Sequence, residues 1–218
     1  MRPLPSPKAR RLAPPAVLLL LAALGLATAA RPAHATDEPE YRVVRALAGF
    51  EVRQYATYTV AEVVVPGPVD DAGKQAFPIL AEYIFGKNKG ERKLAMTAPV
   101  TQTAVPVKLA MRAPVTQTVG PGGFLVQFVL PKGVTLTTAP EPLDARVQLR
   151  EVTPGQVAVI RYSGWWSASN DNEHLAKLQA ALRTAELAWT GEAVYARYNP
   201  PFTPWFMRRN EIWLQLAG

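Results

Sequence analysis

The chain has 218 residues, with 24 Lys and Arg, 17 Asp and Glu, and no cysteine. Five of the basic residues and none of the acidic ones fall within residues 1–35, so the rest of the sequence carries a net charge of only +2. This near-balance argues against a basic surface of the kind that binds nucleic acid, and we predict no nucleic-acid partner. Without cysteine the protein has neither disulfides nor a bacterial lipoprotein anchor, so its stability must come from packing.

Residues 1–35 show the three parts of a secretory signal peptide. A basic start is followed by an apolar run at residues 16–26 and by a small-x-small cleavage site at residues 33–35. The apolar run is shorter than the roughly twenty residues that cross a bilayer, so we expect cleavage and no stable membrane span afterwards. A cut after Ala35 would leave a periplasmic or secreted protein, and a cut after Ala29 fits the rule nearly as well.

The remaining residues, 36–218, are predicted to form a single domain of ordinary size. It opens with three strand-like runs, at residues 41–45, 50–55 and 58–65. In the second run, Phe50 and Val52 alternate with charged residues, which is the pattern of a half-buried strand.

A helix is predicted next, over residues 72–85. Phe77, Leu80 and Ile84 recur at helical spacing, and Gly86 is a plausible C-terminal cap. Pro78 indicates a late start or a kink, because an interior proline removes a backbone hydrogen bond.

An eleven-residue sequence then occurs twice, as KLAMTAPVTQT at residues 93–103 and KLAMRAPVTQT at residues 108–118. Two copies are too few for a solenoid. We interpret them as a hairpin of duplicated strands, with Pro99 and Pro114 at strand ends because proline cannot donate to a ladder. In the alternative, Met96 and Met111 present their thioethers to one ligand, although methionine more often fills gaps in a core.

The second half repeats the order of strands, helix and strands. The helix is predicted to begin near Asn170 and to carry an apolar stripe from Leu175 to Trp189. The predicted strands of this half are 124–130, 146–152, 156–162, 192–198 and 210–216. Such an order is typical of an α+β fold in which a curved antiparallel sheet carries two helices.

Several segments together resemble the SOUL family of haem-binding proteins over residues 41–216. In chain order they are KLAMTAPVTQ, FVLP, PEPLD, VAVIRYSG and RYNPPFTPWFMRRNEIWLQL. The resemblance implies a distorted antiparallel β-barrel with two helices, built from two pseudo-symmetric β-α-β halves. It also implies a tetrapyrrole ligand, haem, that is sequestered or transferred through an open hydrophobic cleft.

In this family the cleft lies between the first helix and the loop before the last strand. The positions that correspond to it are Lys74, Phe77, Ile79, Leu80, Phe202, Thr203, Trp205, Phe206 and Arg208. Relatives carry lysines suited to haem propionates at two cleft positions, where this chain has Glu82 and Thr203. Arg208 and Arg209 offer two interpretations: they grip propionates bidentately, or they pair with acids such as Glu211 and fix the entry to the last strand.

The iron ligand is not evident from the residue types. Histidine is the commonest protein ligand of haem iron, and His174 is the only histidine after residue 35. Its polar neighbours indicate a solvated position at a helix start, so Met96, Met111 and His174 are all weak candidates. Weak or exchangeable haem binding is the expectation.

The sequence carries none of four common enzyme motifs. It lacks the G-x-S-x-G, P-loop, H-E-x-x-H and dinucleotide-binding patterns, so we expect a binding protein and not an enzyme. Two alternatives are an effector-type domain for another apolar molecule and a small-molecule enzyme that uses Glu82 and Tyr83. Trp165 and Trp166 would form a contact surface if exposed and would cover the sheet if buried.

Overall fold

A computed structural model describes residues 37–106 and 121–218. The predicted signal peptide and the second repeat copy, with Met111, lie outside the described residues. Within them, nine strands and two helices follow in chain order, with a short 3-10 turn at Trp205–Met207. The elements are β1 Tyr41–Leu47, β2 Phe50–Tyr55, β3 Tyr58–Val65, α1 Val69–Ile84, β4 Val100–Pro106, β5 Pro121–Val129, β6 Gln148–Val152, β7 Gln156–Tyr162, α2 Ala168–Thr184, β8 Trp189–Arg197 and β9 Asn210–Leu216.

All strand pairs are antiparallel, in the order β1-β2-β7-β9-β8-β4-β5-β3-β6. The segments β2-β3-α1-β4-β5 and β6-β7-α2-β8-β9 share one plan. The first strand of each half pairs with the second strand of the other half, and β4 meets β8 in the middle. The predicted α+β fold with two similar halves is therefore confirmed, although the sheet ends at β1 and β6 and does not close.

Both helices lie on the same face of the sheet. α1 packs mainly on β3 and β5, whereas α2 packs mainly on β7 and β9. Val100 of β4 is the cross-strand partner of Arg197 of β8, so these two residues point to one face and connect the two helix-covered halves. The side chains that alternate with them form the helix-free face. In the described residues no helix is both long and apolar enough to cross a bilayer.

The helix starts differ from the sequence predictions. α1 begins at Val69 instead of residue 72 and runs through Pro78, which lies on its exposed side. α2 begins earlier than predicted because the Ser167 hydroxyl accepts a hydrogen bond from the Asn170 backbone N–H. Trp189 starts β8 and is not part of the helix stripe.

The prediction that the two repeat copies pair as a hairpin is wrong, because the strand residues of the first copy pair elsewhere. Only the polar end of the first copy enters the sheet, as β4, and β4 pairs with β5 on one side and β8 on the other. Both of its edges are thus occupied by other strands. The apolar front is not a strand: Leu94 packs against the core and Thr97 donates to the carbonyl of Val129. Pro99 directly precedes β4, as predicted for a strand end.

Candidate functional site

The first wall of the predicted cleft is α1, whose predicted residues point in different directions. Leu80 is fully buried in the core between α1 and the sheet, and Ile79 is half-buried against the same core. Leu80 is therefore a framework residue instead of a cleft-lining one. Lys74 is exposed, and its Nζ lies 3.2 Å from a carboxylate oxygen of Asp71. The helix thus offers Lys74 and Phe77 to the surface.

Phe77 marks the edge of α1 that faces the centre of the sheet. Its side chain is 43% exposed, and its ring lies edge-on to Phe128 of β5 with 5.4 Å between centroids. Phe128 pairs with Val100 of β4, and Val100 pairs with Arg197 of β8. Two strand spacings, about 10 Å, therefore separate the strand beneath Phe77 from the strand that leads into the loop 199–207.

The strip formed by β4 and β8 lies between the strands that carry the two helices, and neither helix packs mainly on it. It carries half-buried side chains from β4 and β8, and we call it the interhelical groove: Val100, Ala104, Tyr195 and Arg197. A flat ring that lies between two walls needs a gap of about 7–8 Å, because it makes one van der Waals contact of 3.5–4.0 Å with each wall. The Arg197 guanidinium is already paired with Asp171, so the groove floor carries no unpaired charge.

The second wall is the loop between β8 and β9, and Arg208 holds it together from beneath. Arg208 is buried and donates from Nε to the Thr203 carbonyl at 2.8 Å and from Nη2 to the Pro201 carbonyl at 2.6 Å. Its guanidinium also lies 4.5 Å from the ring centroid of Trp166. The structure thus gives Arg208 a role in shaping the loop, which corrects the expectation that it grips a propionate. Thr203 is half-buried in this loop.

The aromatic residues of the loop face outward. The rings of Trp205 and Phe206 meet edge-on at 5.6 Å, and Trp165 stacks on Trp205 at 6.4 Å. Phe202 is 86% exposed. Together with the neighbouring exposed Met207, these side chains form what we call the aromatic patch: Trp165, Phe202, Trp205, Phe206 and Met207.

The two consecutive tryptophans have different environments. Trp165 is 61% exposed, whereas Trp166 is half-buried and donates from Nε1 to the Asn210 side chain at 2.8 Å. Sequence reasoning left both possibilities open and did not place Trp165 in the site. Its contact with Trp205 arises only from folding, because the two lie forty positions apart in the sequence.

Two of the three candidate iron ligands, His174 and Met96, lie within the described residues, in different parts of the fold. His174 is half-buried and stacks on Tyr162 at 4.2 Å, and its Nδ1 donates to the Asn170 carbonyl at 2.8 Å. It is therefore not the fully solvated histidine that the sequence indicated. Met96 is exposed in the segment before β4. Within the described ranges no group of three or more His, Cys, Asp or Glu is arranged to hold a metal ion.

The two candidate catalytic groups do not converge. Glu82 is exposed and forms an ion pair of 2.9 Å with Lys87. Tyr83 is buried and donates its hydroxyl to the Pro140 carbonyl at 2.9 Å, and this burial raises its pKa to about 12. Neither side chain is placed to act on a molecule in the interhelical groove.

Two cavities in the described residues lie elsewhere. One has a volume of about 280 Å³ between residues 37–40 and 129–135, and the other has a volume of about 340 Å³ along residues 40–42 and 54–56. Neither contains any of the predicted cleft residues. Ligand pockets usually measure about 300–1,000 Å³, so both cavities are at or below the small end of that range.

A buried polar network occupies the helix-free face. Glu211 accepts from Arg53 at 3.0 Å, Arg209 at 3.0 Å, Tyr198 at 2.8 Å and Trp213 at 2.9 Å. Burial alone would raise the pKa of this carboxyl, but the charges of Arg53 and Arg209 and the hydrogen bonds from Trp213 and Tyr198 together hold the pKa below its ordinary value of 4.5. The interpretation in which Arg209 pairs with Glu211 is confirmed.

The lowered pKa of Glu211 predicts a specific acid response. The Glu211 carboxylate contributes its full stabilisation at pH values above the pKa that it has in the unfolded chain. This contribution is lost as the pH falls through the lower pKa that it has in the folded protein. We expect thermal stability to decline below about pH 4.5, and to decline less steeply in Glu211→Gln. Melting curves across this range check it.

Three other carboxyls with a lowered pKa, at Glu40, Asp144 and Glu173, titrate in the same range, so the difference between the two proteins isolates Glu211. Parallel profiles for the two proteins would show that the buried carboxyl is not coupled to folding.

Comparison with known proteins assigns the family. Residues 36–215 match the sequence model of the family described as SOUL heme-binding protein. The chain belongs to the SOUL family. This SOUL-family chain is 30% identical to "Heme-binding protein 2" of Homo sapiens over 172 residues, which cover 76% of this chain and 77% of the human protein. It is 27% identical to "Heme-binding protein 1" of Mus musculus over 155 residues, covering 71% and 76% of the two chains.

Solved structures share the fold of this SOUL-family protein at low sequence identity. An uncharacterized conserved protein from Listeria innocua superimposes with a TM-score of 0.57 at 14% identity, covering 77% of this chain and 92% of that chain. The EcmrR C-terminal domain superimposes with a TM-score of 0.54 at 11% identity, covering 81% and 98%. At such identities the likeness concerns the fold alone.

Proposed function

We propose that this protein binds haem and sequesters or transfers it through the open apolar surface between α1 and the loop 199–207. The observation that supports the proposal is that exposed aromatic rings occur on the two elements flanking the interhelical groove, with Phe77 on α1 and Trp205 and Phe206 in the loop after β8. Membership in the SOUL family and the names of the two relatives support haem as the ligand. We propose a binding role without catalysis.

The residues present fit the apolar faces of a porphyrin. Burying apolar surface stabilises a complex by about 25 cal/mol per Å², before the cost of ordering the partners. Lys74 is exposed on α1 about one turn before Phe77, and its ion pair with Asp71 contributes little, so the ammonium is free to turn towards a propionate. Contact through the ring faces, without a strong axial ligand, favours exchangeable binding, and exchange is what transfer requires.

The groove walls can be tested one residue at a time. We expect Phe77→Ala and Trp205→Ala each to weaken haemin binding roughly ten- to hundredfold, because each removes about 1.5–3 kcal/mol of apolar contact. Titration with haemin, followed at the Soret band, measures the affinity. Phe85→Ala is the matched control, since Phe85 is 57% exposed at the end of the same helix but lies outside the proposed site.

Two results would overturn the proposal. One is a wild-type titration without a saturable Soret shift, and the other is an affinity unchanged by both wall substitutions. Thermal stabilisation by another apolar molecule, with haemin silent, would instead favour an effector-type domain.

The expected location follows from the N-terminal segment. We propose that haem is bound after export to the periplasm or beyond, which rests on the signal-like residues 1–35.

A further inference from the structure

The aromatic patch is large for an exposed surface. It consists of five apolar side chains from two adjacent loops, and each of them is about half or more exposed. With 150–250 Å² for a large aromatic side chain, the patch exposes roughly 600 Å². The largest apolar patch on a typical monomer measures about 300–600 Å² and is often functional.

The patch is also electrically neutral. The segments 163–170 and 199–207 contain no Asp, Glu, Lys or Arg. The two arginines that follow turn away from the surface: Arg208 is buried beneath the loop, and Arg209 pairs with Glu38 and Glu211. A partner of this patch therefore meets apolar rings and a thioether, without charges to match.

The loop satisfies much of its own backbone. Pro200, Pro201 and Pro204 have no backbone N–H to desolvate. Five carbonyls accept internal hydrogen bonds, those of residues 200, 201, 203, 204 and 205. Their donors are the Thr203 and Met207 amides, the Arg208 side chain and the amide of Gly164. Internal satisfaction is what a bilayer demands of an inserted backbone, because its hydrocarbon region offers no water.

We propose that the aromatic patch docks this protein onto the surface of a lipid bilayer. Trp165 and Trp205 lie at the level of the headgroups, where tryptophan concentrates in membrane proteins, while Phe202, Phe206 and Met207 enter the acyl boundary. A specific protein interface carries about one hydrogen bond per 100–200 Å², and the side chains of this patch are poor in such groups. A lipid bilayer needs no hydrogen-bonding groups on its partner, so the chemistry of the patch favours lipid as the occupant.

The location of the patch connects docking with ligand exchange. Its loop is also the second wall of the interhelical groove, so a docked molecule brings the groove to the bilayer surface. This connection rests on the proposed function, whereas docking itself does not. Haem exchange would then occur at the membrane surface.

Vesicle binding tests the proposal directly. The ligand-free chain from Thr36, which contains every described element, is mixed with neutral phosphatidylcholine vesicles and sedimented. We expect binding with a blue shift of tryptophan fluorescence, and at least tenfold weaker partitioning of Phe202→Ser/Met207→Ser. Raising the salt from about 0.05 to about 0.5 M leaves binding unchanged, because no charge takes part.

The controls separate the two proposals. Phe85→Ser/Leu143→Ser removes two other exposed apolar side chains and is expected to bind vesicles like the wild type. Phe77→Ala is expected to weaken haemin binding and to leave vesicle binding unchanged. If the wild-type protein binds vesicles but shows no response to haemin, the haem proposal fails and docking stands. Vesicle binding that is absent or that weakens with salt overturns the docking proposal. Dimerisation that depends on protein concentration and is abolished in Phe202→Ser/Met207→Ser, with no vesicle binding, would also overturn it and would assign the patch to a second copy of the chain.

Discussion

Glu211→Gln is expected to lower the free energy of unfolding by about 3 kcal/mol, which is the low end of the cost of breaking a buried ion pair. The Glu211 side chain is fully buried, and the substitution leaves Arg53 and Arg209 without their shared counter-charge. Glu51 and Glu38 still pair with these arginines, so the expected loss of unfolding free energy stays at about 3 kcal/mol. The new amide also places donors where the native carboxylate accepts four hydrogen bonds.

Thermal unfolding measures this effect. For a domain of this size, 1 kcal/mol corresponds to about 2–4 °C, so the melting temperature should fall by roughly 6–12 °C. The matched control is Glu192→Gln on the exposed part of β8, which should stay within about 0.5 kcal/mol of the wild type. Equal melting temperatures for the two variants would show that the network does not stabilise the fold.

The network also lies where the two halves of the chain interlock. Arg53 belongs to β2, the strand of the first half that pairs with β7 of the second, whereas Glu211 lies on β9 beyond it. A shift of β2 by one residue would turn Arg53 to the helix side and leave Glu211 short of a partner. We infer that the pair helps to fix the register at this crossover, in addition to its contribution to stability.

The strands were the most predictable part of the fold. The predicted ranges 50–55, 58–65, 156–162 and 210–216 coincide with β2, β3, β7 and β9. Each is a run of β-branched and aromatic residues bounded by turn-forming residues, so local sequence decides its limits. The α+β order followed from the same patterns, and the plan of two similar halves followed from the repetition of that order.

Pairing and burial were less predictable because they depend on distant residues. The two repeat copies have nearly the same local pattern, and nothing in that pattern indicates that β5 and β8 occupy both edges of β4. The resemblance likewise transfers positions without their environments. Arg208 corresponds to a cleft position, but its guanidinium turns inward to the carbonyls of Thr203 and Pro201.

Leu80→Ala is expected to lower the free energy of unfolding by about 2–5 kcal/mol, the range for truncating a buried leucine. Leu80 packs with Ala72, Ala76 and Ile84 between α1 and the sheet, so the lost side chain leaves a cavity there. Phe77 lies three residues earlier, and 43% of its side chain is exposed, so Phe77→Ala should cost clearly less stability. Urea unfolding of both variants measures the difference.

The same pair of variants separates framework from binding surface. At a temperature where both are fully folded, Leu80→Ala should bind haemin like the wild type, because a side chain beneath the helix cannot touch a ligand in the groove. Phe77→Ala should bind it more weakly while staying nearly as stable. Equal losses of affinity would mean that α1 moves to expose Leu80 when the ligand enters, and the groove would then be formed by binding instead of being present beforehand.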